Sequence, residues 1–198
     1  MKFNYIAIER EYASGGNYIG KKAGTLLGIP CYGKEIPEIT AAKNEVSVDR
    51  IIELEEDVNK SFLYSLARMS NYLNEGSLRL AADSVAVEEM NVIRELAGNG
   101  PAIFVGRTAA YALKDKKDVL KVFIHAPINF RETRAVTEYG VCRSEVTEII
   151  RKADKRRAAY YRQNFGKEWR EYVDYDLVLD SSILGLDKCA AVIAECAK

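Results

Sequence analysis

An apolar run from Phe3 to Ile8 gives way at once to Glu9-Arg10-Glu11-Tyr12-Ala13-Ser14-Gly15-Gly16-Asn17. A segment with helical spacing follows, carried by Ile19, Ala23, Leu26 and Leu27. A strand, a glycine-containing turn and a helix start in that order build an anion cradle. The first turn of a helix has backbone N–H groups without intrahelical partners, and it is the positive end of the helix dipole. A phosphate loop of the form G-x-x-x-x-G-K-[ST] adds a lysine after its second glycine. Here Gly16 stands at the lysine position, Asn17 at the Ser/Thr position and Arg10 at the first-glycine position. The cradle Ser14-Gly15-Gly16-Asn17 is legible and its usual cation is absent. Glycine is also the ordinary residue of turns, so the loop alone leaves a structural reading open.

The remaining pattern fixes the fold class. IPCY (29–32), AIFV (102–105), VLKVFIHA (119–126) and YDLVLD (175–180) read as further strands. AIFV is continuously apolar, as a strand covered on both faces must be. Helices are expected over 34–43, 47–73, 83–97, 128–138, 144–164 and 187–197. The order β-α-β-α-α-α-β-α-β-α-α-β-α implies a three-layer α/β fold around a mainly parallel sheet. Gly16, Gly20, Gly24 and Gly28 recur every four residues and leave a smooth helix face, onto which either a strand or a ligand can close. In the long helix, Val48, Ile51, Ile52, Val58, Phe62, Leu66 and Met69 form an apolar stripe opposite Glu53, Glu55, Glu56 and Asp57. No linker divides the chain, and the run 33–100 reads as an all-helical insertion.

Composition narrows the partners. Lys+Arg and Asp+Glu number 29 each, so overall charge argues neither for nucleic acid nor for a membrane surface. No window approaches the roughly 18 apolar residues of a membrane span, and the cytoplasm is the expected compartment. Cys31, Cys142, Cys189 and Cys196 form no C-x-x-C pair, and the single histidine, His125, has no thiol near it in sequence. Free thiols are expected, with no protein metal site.

Cations recur at the carboxyl ends of the strands, where ligands bind in open α/β sheets. Arg107 follows AIFV, where its fork can hold a phosphate or pair with a helix carboxylate. Arg131 and Arg134 lie three apart on one helix and share a face. They can reach a common polyphosphate or pair with Glu132 or Glu138. In RKADKRRAAYYRQNFGKEWR (151–170), eight of twenty residues are Lys or Arg, and Asp154 lies one turn from Arg157. This segment reads as a phosphate-clamping lid, a nucleic-acid patch, or an ordinary helix with its aromatics buried. Phosphoryl transfer asks for such a set: a backbone cradle and several cations converging on the migrating group.

With these residues in view the chain resembles the cytidylate kinase-like family, a branch of the P-loop nucleoside monophosphate kinases. The motifs are I-x-x-E-R-E-Y-x-S-G-G at the start, G-I-P-x-Y-x-K-E-I (28–36) and V-G-R (105–107), then V-F-I-H-A-P…R-x-x-R (122–134), D-K-x-R-x-x-Y-Y (154–161), G-K-x-W (166–169) and Y-D-L-x-L-x-S-S-x-L-G (175–185). The resemblance implies a five-stranded parallel sheet of the P-loop NTPase type, with a core at 1–32, 101–143 and 171–198. It also implies a helical acceptor-binding insertion at about 33–100 and a lid at about 144–170. ATP and Mg2+ are the implied cofactors and CMP or dCMP the implied acceptor. Carried over by position, Ser14, Gly15, Gly16 and Asn17 would cradle the donor phosphates, Arg107, Arg131 and Arg134 would hold acceptor or donor phosphates, and Asp154 and Arg157 would belong to the lid. The expected catalytic set is Arg107, Arg131, Asp154 and Arg157, joined by Arg10 for its reach over the loop, with Arg134 assigned to the cofactor.

Typical cytidylate kinases keep the loop lysine, and this branch usually carries aspartate where the chain has Gly33. The absent cation has substitutes in reach. Arg10 sits at the strand exit, whereas Lys21 and Lys22 must stretch back roughly 6–8 Å along the helix. Asn17 can meet Mg2+ only through its amide oxygen. Local pairing among Glu9, Arg10 and Glu11 is the structural alternative. Two functions are therefore expected first: an ATP-dependent phosphotransferase with a small acceptor, and a nucleotide-binding sensor or partner protein without catalysis. A nucleic-acid binder using 151–170 comes third.

Overall fold

A computed structural model describes residues 1–51 and 82–198. Five strands form one sheet: β1 (Tyr5–Arg10), β2 (Cys31–Tyr32), β3 (Ala102–Val105), β4 (Val119–His125) and β5 (Leu177–Asp180). Their spatial order is β2-β3-β1-β4-β5, and every neighbouring pair is parallel. β1 lies at the centre and therefore exposes almost none of its side chains. It begins and ends two residues later than the apolar run suggests. Its ladder with β4 extends to Arg10 opposite Ile124, so backbone pairing carries the strand through Glu9 and Arg10.

The helices are α1 (Gly16–Leu27), α2 (Glu35–Lys43), α3 (Ala82–Gly98), α4 (Ala109–Ala112), α5 (Ile128–Tyr139), α6 (Val146–Phe165), α7 (Ser181–Leu184) and α8 (Leu186–Ala197). Alternation along β1 sends its residues to two cores. Ile6 and Ile8 pack with Ile19, Ala23, Val122, Ile124 and Ile193 beneath α1 and α8. Tyr5 and Ala7 pack on the other face with Phe104, Val92, Ile93 and Leu113 beneath α3 and α4. A smaller aromatic core of Phe123, Tyr161, Trp169 and Tyr175 fixes α6 to β4. The glycine face of α1 meets the sheet: a Cβ on Gly20 would stand 2.7 Å from Val105 Cγ2 and 3.2 Å from Cys31 Sγ. A strand, rather than a ligand, takes up that smooth face.

Of the long helix expected over 47–73, one turn at 48–51 is described and the rest, with its acidic run, lies outside the described residues. Among the described residues no helix is long and apolar enough to cross a membrane.

Candidate active site

The turn after β1 is sewn into the sheet from below. The Ser14 hydroxyl points at the carbonyls of Glu11 (2.9 Å) and Ile124 (3.1 Å), and the Glu11 N–H donates to Ile124 O at 3.0 Å. The Ser181 hydroxyl, at the start of α7, lies 2.7 Å from Ser14 O and 3.2 Å from His125 O. Ser14 is thus fully buried, and its side chain shapes the cradle rather than facing it. Ala13 (φ 59°) and Gly15 (φ 91°) take left-handed conformations that turn the chain into α1. No side chain caps α1, so its first N–H groups remain available to a ligand, and Asn17 is exposed in the first turn.

Beside the cradle lies a cavity of about 320 Å³. β1 and its turn contribute Glu9, Arg10 and Tyr12. The end of β3 contributes Arg107 and Thr108. α6 adds Arg156, Arg157, Tyr160 and Tyr161, and Trp169 closes one wall. Four guanidinium groups thus converge from three places far apart in sequence. The segment Gly106-Arg107-Thr108 reaches the cavity through three successive left-handed residues, with φ of 74°, 57° and 55°. For residues other than glycine that backbone costs on the order of 1–3 kcal/mol each, a strain that collects at functional sites.

Carboxylates hold two of these cations. Arg107 Nη1 lies 3.3 Å from the fully buried Glu89, whose other oxygen accepts from the Tyr160 hydroxyl at 3.1 Å. Arg157 Nη1 donates to Arg10 O at 3.0 Å and lies 3.8 Å from Asp154. Burial lowers the pKa of the Arg157 guanidinium, and the repulsion of Arg107 adds to the effect. Glu9, nearly buried, accepts from Trp169 Nε1 at 3.3 Å. Burial pushes its carboxyl above the usual glutamate range, against the pull of Arg10 and Arg157.

Behind the cavity wall a second network ties α6 to the loop. Asp154 accepts the Tyr12 N–H at 2.8 Å, Arg131 Nη1 at 2.6 Å and Arg170 Nη2 at 3.3 Å. Glu11 accepts the Ala126 N–H at 3.2 Å and lies 3.4 Å from Arg131 and 2.6 Å from Arg170. Arg131 also donates to Ala126 O, and Arg134 donates to Ala13 O at 3.2 Å and pairs with Glu138. The structure therefore brings Arg10, Arg107 and Arg157 to the cavity. It seats Asp154, Arg131 and Arg134 in buried networks that brace the loop. Glu9 turns to Trp169 and Glu11 to Arg131 and Arg170, rather than pairing with Arg10 side by side.

Four participants escape sequence reasoning: Thr108, Arg156, Arg170 and the buried Glu89. Glu89 and Arg170 act through partners far away in sequence, and only the basic density of 151–170 hints at Arg156 and Arg170.

The model of the cytidylate kinase-like family matches residues 5–183. A curated cytidylate kinase from Methanopyrus kandleri is 28% identical over 108 residues, half of this chain and 56% of that protein. The match therefore spans little more than half of that relative's length. An uncharacterized protein from Eubacterium ventriosum superposes over 98% of this chain and 97% of its own, with 22% identity and a TM-score of 0.70. Shikimate kinase from Bacteroides thetaiotaomicron shares the fold over 97% of both chains, at 12% identity and a TM-score of 0.58. A gluconokinase from Sinorhizobium meliloti does so over 98% and 93%, at 12% and 0.53. With a five-stranded parallel sheet of the P-loop kinase type and a family match running from β1 through α7, the chain belongs to the cytidylate kinase-like family.

Proposed function

We propose that the protein transfers the γ-phosphoryl group of ATP to a small anionic acceptor, with CMP or dCMP the first acceptors to examine. The observation that carries this reading is the placement of an uncapped helix start beside a cavity into which Arg10, Arg107, Arg156 and Arg157 converge. So many cations in one half-closed space favour a phosphorylated ligand. The family match supports a phosphotransferase, and the Methanopyrus relative supports cytidylate as the acceptor.

The chain's own groups suit a magnesium nucleotide. The N–H groups of α1 and the left-handed Gly15 would receive the phosphates, and the exposed Asn17 amide oxygen would face the ion. An ion held there would supply positive charge that offsets the phosphates. Arg107 and Arg157 orient the acceptor's anionic group, while Tyr12, Tyr160 and Trp169 exclude water from the space between donor and acceptor. A phosphate nucleophile needs no strong base, so positioning and charge do most of the work.

Gly16 at the lysine position favours the second reading, a nucleotide-binding protein without catalysis. Coupled assay of ADP release against a panel of nucleoside monophosphates separates the two. Acceptor-dependent turnover led by CMP or dCMP is expected. Nucleotide binding with no turnover on any acceptor would overturn the kinase reading.

A further inference from the structure

We infer that Arg10 supplies the charge that a loop lysine supplies in other phosphate loops: threaded between Gly16 and Gly106, its guanidinium meets the terminal phosphate of a bound nucleoside triphosphate where the cradle opens into the cavity. The inference rests on reading this cavity as a phosphotransfer site.

Its path can be followed atom by atom. A Cβ on Gly16 would stand 2.6 Å from Arg10 Cγ and 2.7 Å from Arg10 Cβ, so the arginine stem lies flat on the first residue of α1. A Cβ on Gly106 would stand 2.7 Å from Arg10 Cζ and 3.0 Å from Nη2, and would collide with Nη1. The side chain therefore runs from the cradle across to the end of β3, through space left by two missing side chains. One of those is the lysine position itself. The substitution is reciprocal: the cation has moved from the residue after the second glycine to the position of the first.

Arg10 is also the cation left over. Arg107, Arg131, Arg134 and Arg157 each lie within 4 Å of a carboxylate. Among the described residues the Arg10 guanidinium makes no hydrogen bond and no ion pair, although it lines the cavity and is half-buried. Five N–H donors are thus held in place and left for a ligand. Its main chain is pinned by Arg157 through Arg10 O. Burial, reinforced by Arg157, pulls its pKa down to about 9, which leaves the group charged at neutral pH and relieved by any anion that joins it. The alternative lysines point elsewhere. Lys22 Nζ lies 3.8 Å from Asp187 on the outer side of α1, and Lys21 is exposed.

Calorimetric binding of Mg-ATP and Mg-ADP tests the assignment without any need for turnover. Wild type, Arg10→Ala, Arg10→Met and Lys21→Ala are compared, and urea melts confirm that each variant folds. Arg10→Met keeps the stem on Gly16 and serves if Arg10→Ala does not fold. Loss of a charged hydrogen-bond donor is expected to weaken ATP about tenfold to hundredfold and ADP much less. Millimolar guanidinium should restore part of the ATP affinity in Arg10→Ala and change nothing in wild type. Lys21→Ala should match wild type. An unchanged ATP-to-ADP ratio in both Arg10 variants overturns the inference, as does an equal shift in Lys21→Ala. The two proposals fail separately. An Arg10-dependent ratio in a protein that phosphorylates no acceptor defeats the kinase reading alone. Turnover that survives both Arg10 substitutions defeats this assignment alone.

Discussion

Replacing Asp154 with Asn tests whether the buried network is what holds α6 against the loop. Asp154 is 7% exposed and receives Arg131 Nη1 at 2.6 Å, the Tyr12 N–H at 2.8 Å and Arg170 Nη2 at 3.3 Å. Asparagine keeps an oxygen for Tyr12 and loses the charge that faces Arg131. A charged hydrogen bond contributes about 1.5–3 kcal/mol. Leaving a buried charge wholly unpaired costs about 3–5 kcal/mol. The second figure is an upper bound here, because Arg131 retains Glu11 at 3.4 Å and the carbonyls of Ala126 and Tyr12. Arg170 is about half exposed, so its share is small. The expected loss is therefore about 2–3 kcal/mol, a large part of the roughly 5–15 kcal/mol that holds a domain together. Urea unfolding followed by fluorescence of Trp169, the single tryptophan, measures it from beside the network. At a slope of about 1–3 kcal/mol per molar urea, the midpoint should fall by about 1 M or more. Combining Asp154→Asn with Arg131→Met should cost clearly less than the sum of the two single changes. A single change within about 0.5 kcal/mol of wild type, or strict additivity in the pair, would refute the reasoning.

Three further outcomes are expected. Burial raises the Glu9 carboxyl pKa, so the native state keeps a proton that the unfolded chain has already lost. Stability due to this group falls as pH rises from the ordinary glutamate range through the raised native value, and Glu9→Gln should flatten that fall and be the more stable protein at pH 7. Urea midpoints of both proteins from pH 4 to 8 decide it, and parallel profiles would contradict it. Ser181→Ala removes the donor to Ser14 O and should cost about 1–3 kcal/mol while the thermal transition stays cooperative. Melting within 1 °C of wild type would count against the loop anchor. A side chain fits at Gly33, where a Cβ would be 3.6 Å from Val105 Cβ and 4.0 Å from Asn17 Oδ1. Gly33→Asp should therefore fold normally and lower the Mg2+ concentration needed for nucleotide binding, and an unchanged Mg2+ titration would argue against Asn17 as the residue facing the ion.

Backbone-level features were legible because local chemistry dictates them. AIFV is a strand as read, and Gly28 ends α1 with φ 68° and its N–H on Gly24 O and Thr25 O. The helices at 128–139, 146–165 and 186–197 lie within two residues of expectation. The apolar run misplaces both ends of β1 because the limits of the strand are set by β4, a partner over a hundred residues away. The same physics hid much of the site. E-R-E at the strand exit reads as three neighbouring charges, yet strand alternation turns Glu9 away from Arg10 and toward Trp169, while Glu11, past the end of β1, meets Arg131 and Arg170. Asp154 and Arg157 look alike as lid residues one turn apart. In the fold one braces the loop from behind and the other lines the cavity. Only tertiary contact separates these roles.

The vacancy at Gly106 binds the histories of residues that never touch in sequence. As long as an arginine occupies position 10, no side chain can be added at 16 or 106 without evicting it. A descendant with glycine at position 10 would regain liberty at 16, where the helix welcomes alanine or lysine, whereas any other residue at 10 keeps the Cβ that would stand 2.7 Å from a side chain at 16. It would gain none at 106, where φ 74° still demands glycine. A change toward a lysine-bearing loop therefore has an order imposed by sterics: the arginine must give way to glycine first.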